Sequence, residues 1–314
     1  MSQGTCRRQH SHCHTTFFPR SHPHHHHDSG IATAQRLLDL GAVVILTARN
    51  RNDALHAAPL GGQEPIWIEA DLAQVALDDQ AAQALVTRVR QASPTGTIDD
   101  VFHVAGLSVR AAASDVSANV LQNIFNVNTF APITLTRHLM TPVEGRPALT
   151  PFSRIVLASS VQGHLPLPFR APYSASKHAL QAYFDSLRLE LELGISVPTN
   201  RVWEFRSGSH SYYAPPSIIS VCFGYVNTNL SRNALTGSGA RYNRMDETTS
   251  SGISPTKAAT AMLRAALDKK DEVWVAPPAH RLAMSLWGLV PSIVKRMIRA
   301  RAWKQLRSQP QHSD

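Results

Sequence analysis

Apolar positions along this chain follow two alternating periods. Residues 32–40 have helical spacing and stop at Gly41, and residues 42–48 follow as an unbroken apolar run of the kind a doubly buried strand needs. The alternation repeats, with strands expected over 65–70, 100–105, 154–159, 218–223 and 272–275. Helices are expected between them, over 80–91, 116–140, 172–193 and 255–266. Strands alternating with helices of about ten residues or more predict a parallel sheet covered on both faces. This is a doubly wound α/β architecture, which binds its ligands at the carboxyl ends of the strands.

Composition sharpens this picture. Of 314 residues, 43% are hydrophobic and 17% charged, enough for one substantial core. The formal charge is +9, but residues 28–280 are balanced and the excess sits at the two ends. A balanced body argues against a nucleic-acid groove, which needs clustered cations, so no nucleic-acid partner is expected. Cys6, Cys13 and Cys222 are too few and too scattered for a disulfide framework. The longest uncharged apolar run, 282–294, is interrupted by Gly288 and Pro291 and is short of the roughly 20 residues a membrane span requires.

The most informative stretch runs from Arg154 to Lys177. Tyr173 and Lys177 stand four apart on one expected helix, so they share a face. An ammonium beside a phenol favours the phenolate, and such a tyrosine can exchange a proton with a carbonyl or alcohol oxygen. Ser160, at the carboxyl end of the preceding strand, is placed to hydrogen-bond that oxygen. Serine thirteen residues before Tyr-x-x-x-Lys, in a strand-to-helix context, resembles the short-chain dehydrogenase/reductase family. The resemblance runs from about residue 29 to 304. Residues 169–179 (FRAPYSASKHA), 181–188 (QAYFDSLR), 224–231 (GYVNTNLS) and 241–249 (RYNRMDETT) look like one membrane-associated, ether-lipid-linked branch of that family.

The resemblance implies a Rossmann-type single domain and an NADP(H)-dependent oxidoreductase. Its substrate would be a small lipophilic ketone or secondary alcohol, with acyl- or alkyl-dihydroxyacetone phosphate as an example. Ser160, Tyr173, Lys177 and Asn128 match the catalytic positions, Asn128 through a water-mediated proton relay. Ser29, Gly30 and Ile31 match the end of the phosphate loop, Asp71 and Leu72 the adenine contact, and Ala105 and Gly106 the backbone beside the cofactor. Val226 and Thr228 match contacts to the nicotinamide, and Tyr173 and Lys177 contacts to its ribose. Arg49, at the end of the second strand with no acidic neighbour there, suits a 2′-phosphate and so favours NADP over NAD.

Three departures qualify the resemblance. Of the three phosphate-loop glycines only Gly30 remains; His26 and Ala32 stand at the other two positions. Upstream, residues 17–27 make a poor strand because Pro19 and Pro23 cannot donate ladder hydrogen bonds, so the first strand is expected to be missing or replaced and residues 1–28 to form a disordered His-rich tail. Residues 198–218 look like an insertion, of retained-intron or surface-loop type, that cuts the sixth strand. His103 replaces a family asparagine and is expected to be a hydrogen-bonded structural histidine. The alternative function is therefore a degenerate member that binds lipid or protein without turnover.

At the ends, the histidines between 10 and 27 fit no zinc module, and no metal site is expected. Residues 281–314 carry seven cations against Asp314 alone. Leu282, Leu286, Leu289, Val290, Ile293, Met297 and Ala300 follow helical spacing, with Trp287 and Trp303 near the seam and Pro291 dividing two helices. Two readings fit this pattern: an interfacial helix on an anionic membrane, or a lid over the substrate pocket or a homodimer contact. The expected location is the cytoplasmic face of an endoplasmic-reticulum, peroxisomal or lipid-droplet membrane, or otherwise the cytoplasm.

Overall fold

The computed structural model describes residues 13–17, 28–49, 64–142, 148–195, 203–207 and 210–308. Strand β1 (Cys13–Phe17) precedes helix α1 (Ser29–Asp39), capped by Asp28, and then β2 (Val43–Ala48) and β3 (Ile66–Glu69). A short helix α2 (Leu72–Val75) and α3 (Asp79–Ala92) lead to β4 (Ile98–His103). Next come α4 (Ala118–Phe125), a π-helical turn over Asn126–Phe130, α5 (Ala131–Met140), β5 (Leu149–Ser160) and α6 (Ala171–Glu192). A hairpin of β6 (Glu204–Ser207) and β7 (His210–Tyr213) precedes β8 (Ser217–Phe223). The chain continues through α7 (Glu247–Ser250), α8 (Pro255–Asp268), β9 (Glu272–Val275), α9 (Pro278–Trp287) and α10 (Pro291–Ser308).

Seven strands pair in parallel in the order β3-β2-β1-β4-β5-β8-β9. Period-two alternation divides the core between the two faces. Val44 and Leu46 pack with Leu37 and Leu38 of α1 and Met262 of α8 on one face. Ile45 points the other way, toward the layer built from α3, α5 and α6, with Leu85, Leu135 and Phe184. Crossover helices cover both faces of the sheet, so its strands can be apolar throughout, which is why the continuous runs at 42–48 and 154–159 read as strands.

Two expectations are corrected here. The first strand is present: β1 lies in the middle of the sheet, with Thr15 opposite Ile45 on one side and Val101 on the other. It lies upstream of Pro19 and Pro23, in a Cys-His-Thr-Thr-Phe segment whose β-branched and aromatic types suit a pleated sheet. The tail reading thus fails for Cys13–Phe17 and for Asp28, while residues 1–12 and 18–27 lie outside the described residues.

The second correction concerns the insertion. It does not cut the sixth strand, because β8 runs unbroken from Ser217 to Phe223 against β5. Part of the inserted segment forms the β6–β7 hairpin, and Trp203 at its base is fully buried in the main core. The amide of Ala214 donates to the carbonyl of Trp203 at 2.9 Å, and that of Phe152 to the carbonyl of Ala214 at 3.4 Å, which ties the hairpin base to β5. Residues 196–202 lie outside the described residues. The helical region expected over 116–140 runs without a gap from Ala118 to Met140, with a π-helical turn over Asn126–Phe130 that contains Asn128.

Candidate active site

Strands β2, β4, β5 and β8 end together on one edge of the sheet and open into a cleft of about 340 Å³. Its lining runs from Asp28, Ser29 and Arg49 at one end, past Gly106, to Ser160, Tyr173 and Lys177, and on to Val226 and Thr228. The sheet's connectivity dictates this convergence, because parallel strands deliver their carboxyl ends to the same side.

Ser160 is the last residue of β5, and its hydroxyl accepts from the amide of Gln162 at 3.1 Å in the tight turn that follows. Pro172 starts α6 without breaking it, since a first-turn residue has no intrahelical N–H bond to lose. That fixes Tyr173 and Lys177 on the helix face toward Ser160; both are nearly fully buried. Burial raises the Tyr173 pKa, and a hydrogen bond with Ser160 and the charges of Arg170 and Arg110 act against that rise. Burial lowers the Lys177 pKa to about 8. Its Nζ donates to the carbonyl of Ala158 at 2.9 Å.

Asn128 sits behind the cleft. Its Oδ1 accepts from the amide of Leu107 at 2.7 Å, while its Nδ2 donates to the carbonyl of Leu107 and to the Ser176 hydroxyl, each at 2.9 Å. It therefore fastens the loop after β4 to the helix that carries Tyr173 and Lys177. His103 is the structural histidine expected: it is buried, its Nε2 lies 3.0 Å from the Thr136 hydroxyl, and burial lowers its pKa to about 3.

Of the expected cofactor residues, Ser29, Arg49, Gly106, Tyr173, Lys177, Val226 and Thr228 line the cleft. Gly30, Ile31, Leu72 and Ala105 are buried and do not line it. Asp71 caps α2 through the amide of Ala73 at 2.9 Å, with Arg49 4.0 Å from its carboxylate. An elongated anionic ligand fits these groups, with backbone approach at Gly106 and a cation at Arg49. One group opposes that fit: Asp28 Oδ1 accepts from the amides of Gly30 and Ile31 at 2.8 and 3.4 Å, at the helix end where a pyrophosphate is usually held.

Sequence reasoning missed a charged cluster beside Tyr173. Asp246 Oδ2 accepts from Arg110 Nε at 2.8 Å and from Arg170 Nη2 at 2.9 Å, so one carboxylate serves two guanidiniums. Arg110 also donates to Ser108, Val109 and Ser231. The partners lie up to 136 residues apart, and no short motif could have connected them. The surplus positive charge works in favour of a phenolate at Tyr173.

The arrangement brings a serine hydroxyl, a buried tyrosine and a buried lysine together at the open edge of a doubly wound sheet. Comparison with known proteins identifies the family that carries such a set. The family model described as short chain dehydrogenase matches residues 29–199. Dehydrogenase/reductase SDR family member 7B from Bos taurus is 34% identical over 277 residues, covering 85% of this chain and 76% of its own. Dehydrogenase/reductase SDR family protein 7-like from Anopheles gambiae is 33% identical over 284 residues, covering 88% and 80%. Among solved structures, a Burkholderia phymatum short-chain dehydrogenase/reductase in complex with NAD superposes with a TM-score of 0.67 at 18% identity, covering 90% of this chain and 95% of its own. A Burkholderia cenocepacia short-chain dehydrogenase in complex with NADP superposes with a TM-score of 0.61 at 19% identity, covering 91% and 97%. With its serine, tyrosine and lysine assembled on that fold, this chain belongs to the short-chain dehydrogenase/reductase family of oxidoreductases.

Proposed function

We propose that this chain reduces the carbonyl of a lipophilic ketone with NADPH. The observation that carries the reading is the convergence of Ser160, Tyr173 and Lys177 in a cleft whose far end carries Arg49. Bound NADPH would supply the hydride to the carbonyl carbon. Tyr173 gives its phenolic proton to the carbonyl oxygen, and Ser160 hydrogen-bonds the same oxygen as charge gathers on it. Lys177 holds the cofactor ribose and stabilises the phenolate left behind; Asn128 keeps Lys177's helix in register and supports return of the proton. Arg49 pairs with the 2′-phosphate.

Arg241 at the cleft rim suits a substrate with an anionic head, as in an acyl- or alkyl-dihydroxyacetone phosphate. The C-terminal helices support delivery from a membrane surface. Met284 and Val294 are buried against the body, while Leu289, Ile293, Met297 and Trp303 remain exposed beside Lys295, Arg296 and Arg299. No described helix is long and apolar enough to cross a membrane.

The Asp28 carboxylate favours the second reading, a family member that no longer turns over because its phosphate site is filled. NADPH titration followed by nicotinamide fluorescence separates the two. Binding in the micromolar range, with ketone reduction that falls at least ~100-fold in Tyr173→Phe, supports the enzyme. No binding below millimolar NADPH overturns it.

A further inference from the structure

Outside the lining of the cleft, four side chains from four segments of the chain meet. His164 follows the turn after β5, Gln181 lies one turn beyond Lys177 on α6, Cys222 is on β8 and Glu272 opens β9. Cys222 and Gln181 are buried; His164 and Glu272 are about 29% and 32% exposed at the rim. The donor atoms of His164, Cys222 and Glu272 all lie within 4.8 Å of one another.

Hydrogen bonds alone leave this cluster frustrated. Three donors aim at one oxygen, Glu272 Oε1: His164 Nε2 at 2.5 Å, Cys222 Sγ at 3.1 Å and Gln181 Nε2 at 3.1 Å. Gln181 Nε2 also lies 2.9 Å from His164 Nε2, a nitrogen that cannot donate to Glu272 and accept from Gln181 at once. Meanwhile Gln181 Oε1 is buried with no hydrogen-bond partner among the described residues. The two ends of an amide exchange by a half-turn of its last torsion, and that turn presents the orphan oxygen to the other three groups.

We propose that His164, Cys222, Glu272 and the amide oxygen of Gln181 form a structural site for one zinc ion. Nitrogen, sulfur and oxygen donors together suit zinc and exclude the hard cations, which avoid thiolate. Bonds of about 2.0–2.3 Å in a tetrahedron require donor atoms about 3.2–3.8 Å apart. The separations here are 2.5 Å for His164 to Glu272, 3.1 Å for Cys222 to Glu272 and 3.8 Å for Cys222 to His164, so shifts of under an ångström complete the shell. The Cys222 thiol loses its proton on binding, and the thiolate and carboxylate together neutralise the dication. Four protein ligands leave no open position for chemistry, so the ion's work is mechanical. It joins the turn after Ser160, the helix of Tyr173 and Lys177, and the last two strands into one frame.

The histidines between residues 10 and 27 are expected to take up metal without specificity and carry no part of this proposal. The test uses cobalt(II) as a spectroscopic stand-in, in the full chain carrying Cys6→Ser and Cys13→Ser so that Cys222 is its one thiol. The expected result is a thiolate-to-cobalt charge-transfer band with tetrahedral d–d absorption, displaced by zinc. The band is lost in Cys222→Ser, and Glu272→Gln weakens binding at least ~10-fold. Should Cys222→Ser not fold by circular dichroism, Glu272→Gln at the partly exposed rim decides. Absence of the band in the parent protein, or a parent-like band and affinity in Glu272→Gln, overturns the proposal.

Discussion

Asp28 Oδ1 lies 2.8 Å from the amide of Gly30, so the carboxylate occupies the helix end that faces the cofactor cleft. Burial raises its pKa against the pull of the two amides it caps. A pyrophosphate entering the cleft meets like charge there. Asp28→Ser keeps a good N-cap while removing the charge. It is expected to tighten NADPH binding about 3–10-fold, the scale of one charge near a helix terminus. In the parent chain, affinity should fall as pH rises through the raised Asp28 pKa, and this slope should vanish in the variant. Fluorescence titration across pH checks both; unchanged affinity and slope would falsify the competition.

Lys177 is held at a cost to stability. Its pKa is about 8 in the fold and about 10.4 in an unfolded chain. Between these values the unfolded chain carries a proton that the folded one has released, so this group's contribution to stability rises with pH through that window. Below about 8 the burial penalty is present in full. Lys177→Met should therefore raise thermal stability at pH 7, by about 1–2 kcal/mol, while removing activity. The gap from the parent should shrink as pH approaches about 10. Paired melting curves measure this, and a variant less stable than the parent at pH 7 contradicts it.

Arg110 and Arg170 share the Asp246 carboxylate, and these arginines hold its pKa below the usual range against the opposing effect of burial. Asp246→Asn leaves two largely buried guanidiniums without their counter-charge. The expected loss is about 2–4 kcal/mol in urea denaturation, together with an acid shift of the activity profile because Tyr173 then faces uncompensated positive charge. A stable variant with an unshifted profile would show that the cluster neither supports the fold nor acts on Tyr173.

Trp203 decides whether the inserted segment belongs to the fold. Its side chain is fully buried in the main core, yet its indole N–H has no hydrogen-bond partner among the described residues. Trp203→Ala should destabilise by about 3–5 kcal/mol through the cavity it leaves. Trp203→Phe, which removes the orphan donor and keeps most of the volume, should cost under about 2 kcal/mol. Equal melting temperatures for the parent and the alanine variant would make the segment a passive loop.

Much of the fold was legible because its signals are local. The periodicity at 255–266 and 272–275 corresponds to observed elements at Pro255–Asp268 and Glu272–Val275. Pro291 separates α9 from α10 where a helix must break. The missed first strand is equally instructive. Cys13–Phe17 is short and polar in part, and its place is secured by pairing with β2 on one side and β4 on the other. Such pairing does not register in the segment's own pattern.

Sequence by itself determined the sheet-and-helix alternation and the Ser160, Tyr173 and Lys177 set, because both reside in spacings of a few residues along one strand or helix. Only the tertiary structure decided that β1 fills the centre of the sheet, that Trp203 enters the core, and that Arg110 and Arg170 share Asp246. It also decided that His164, Gln181, Cys222 and Glu272 converge. Those relations join residues dozens of positions apart. Their distances are set by how parallel strands stack and where crossovers return the chain, which no local pattern of side chains encodes.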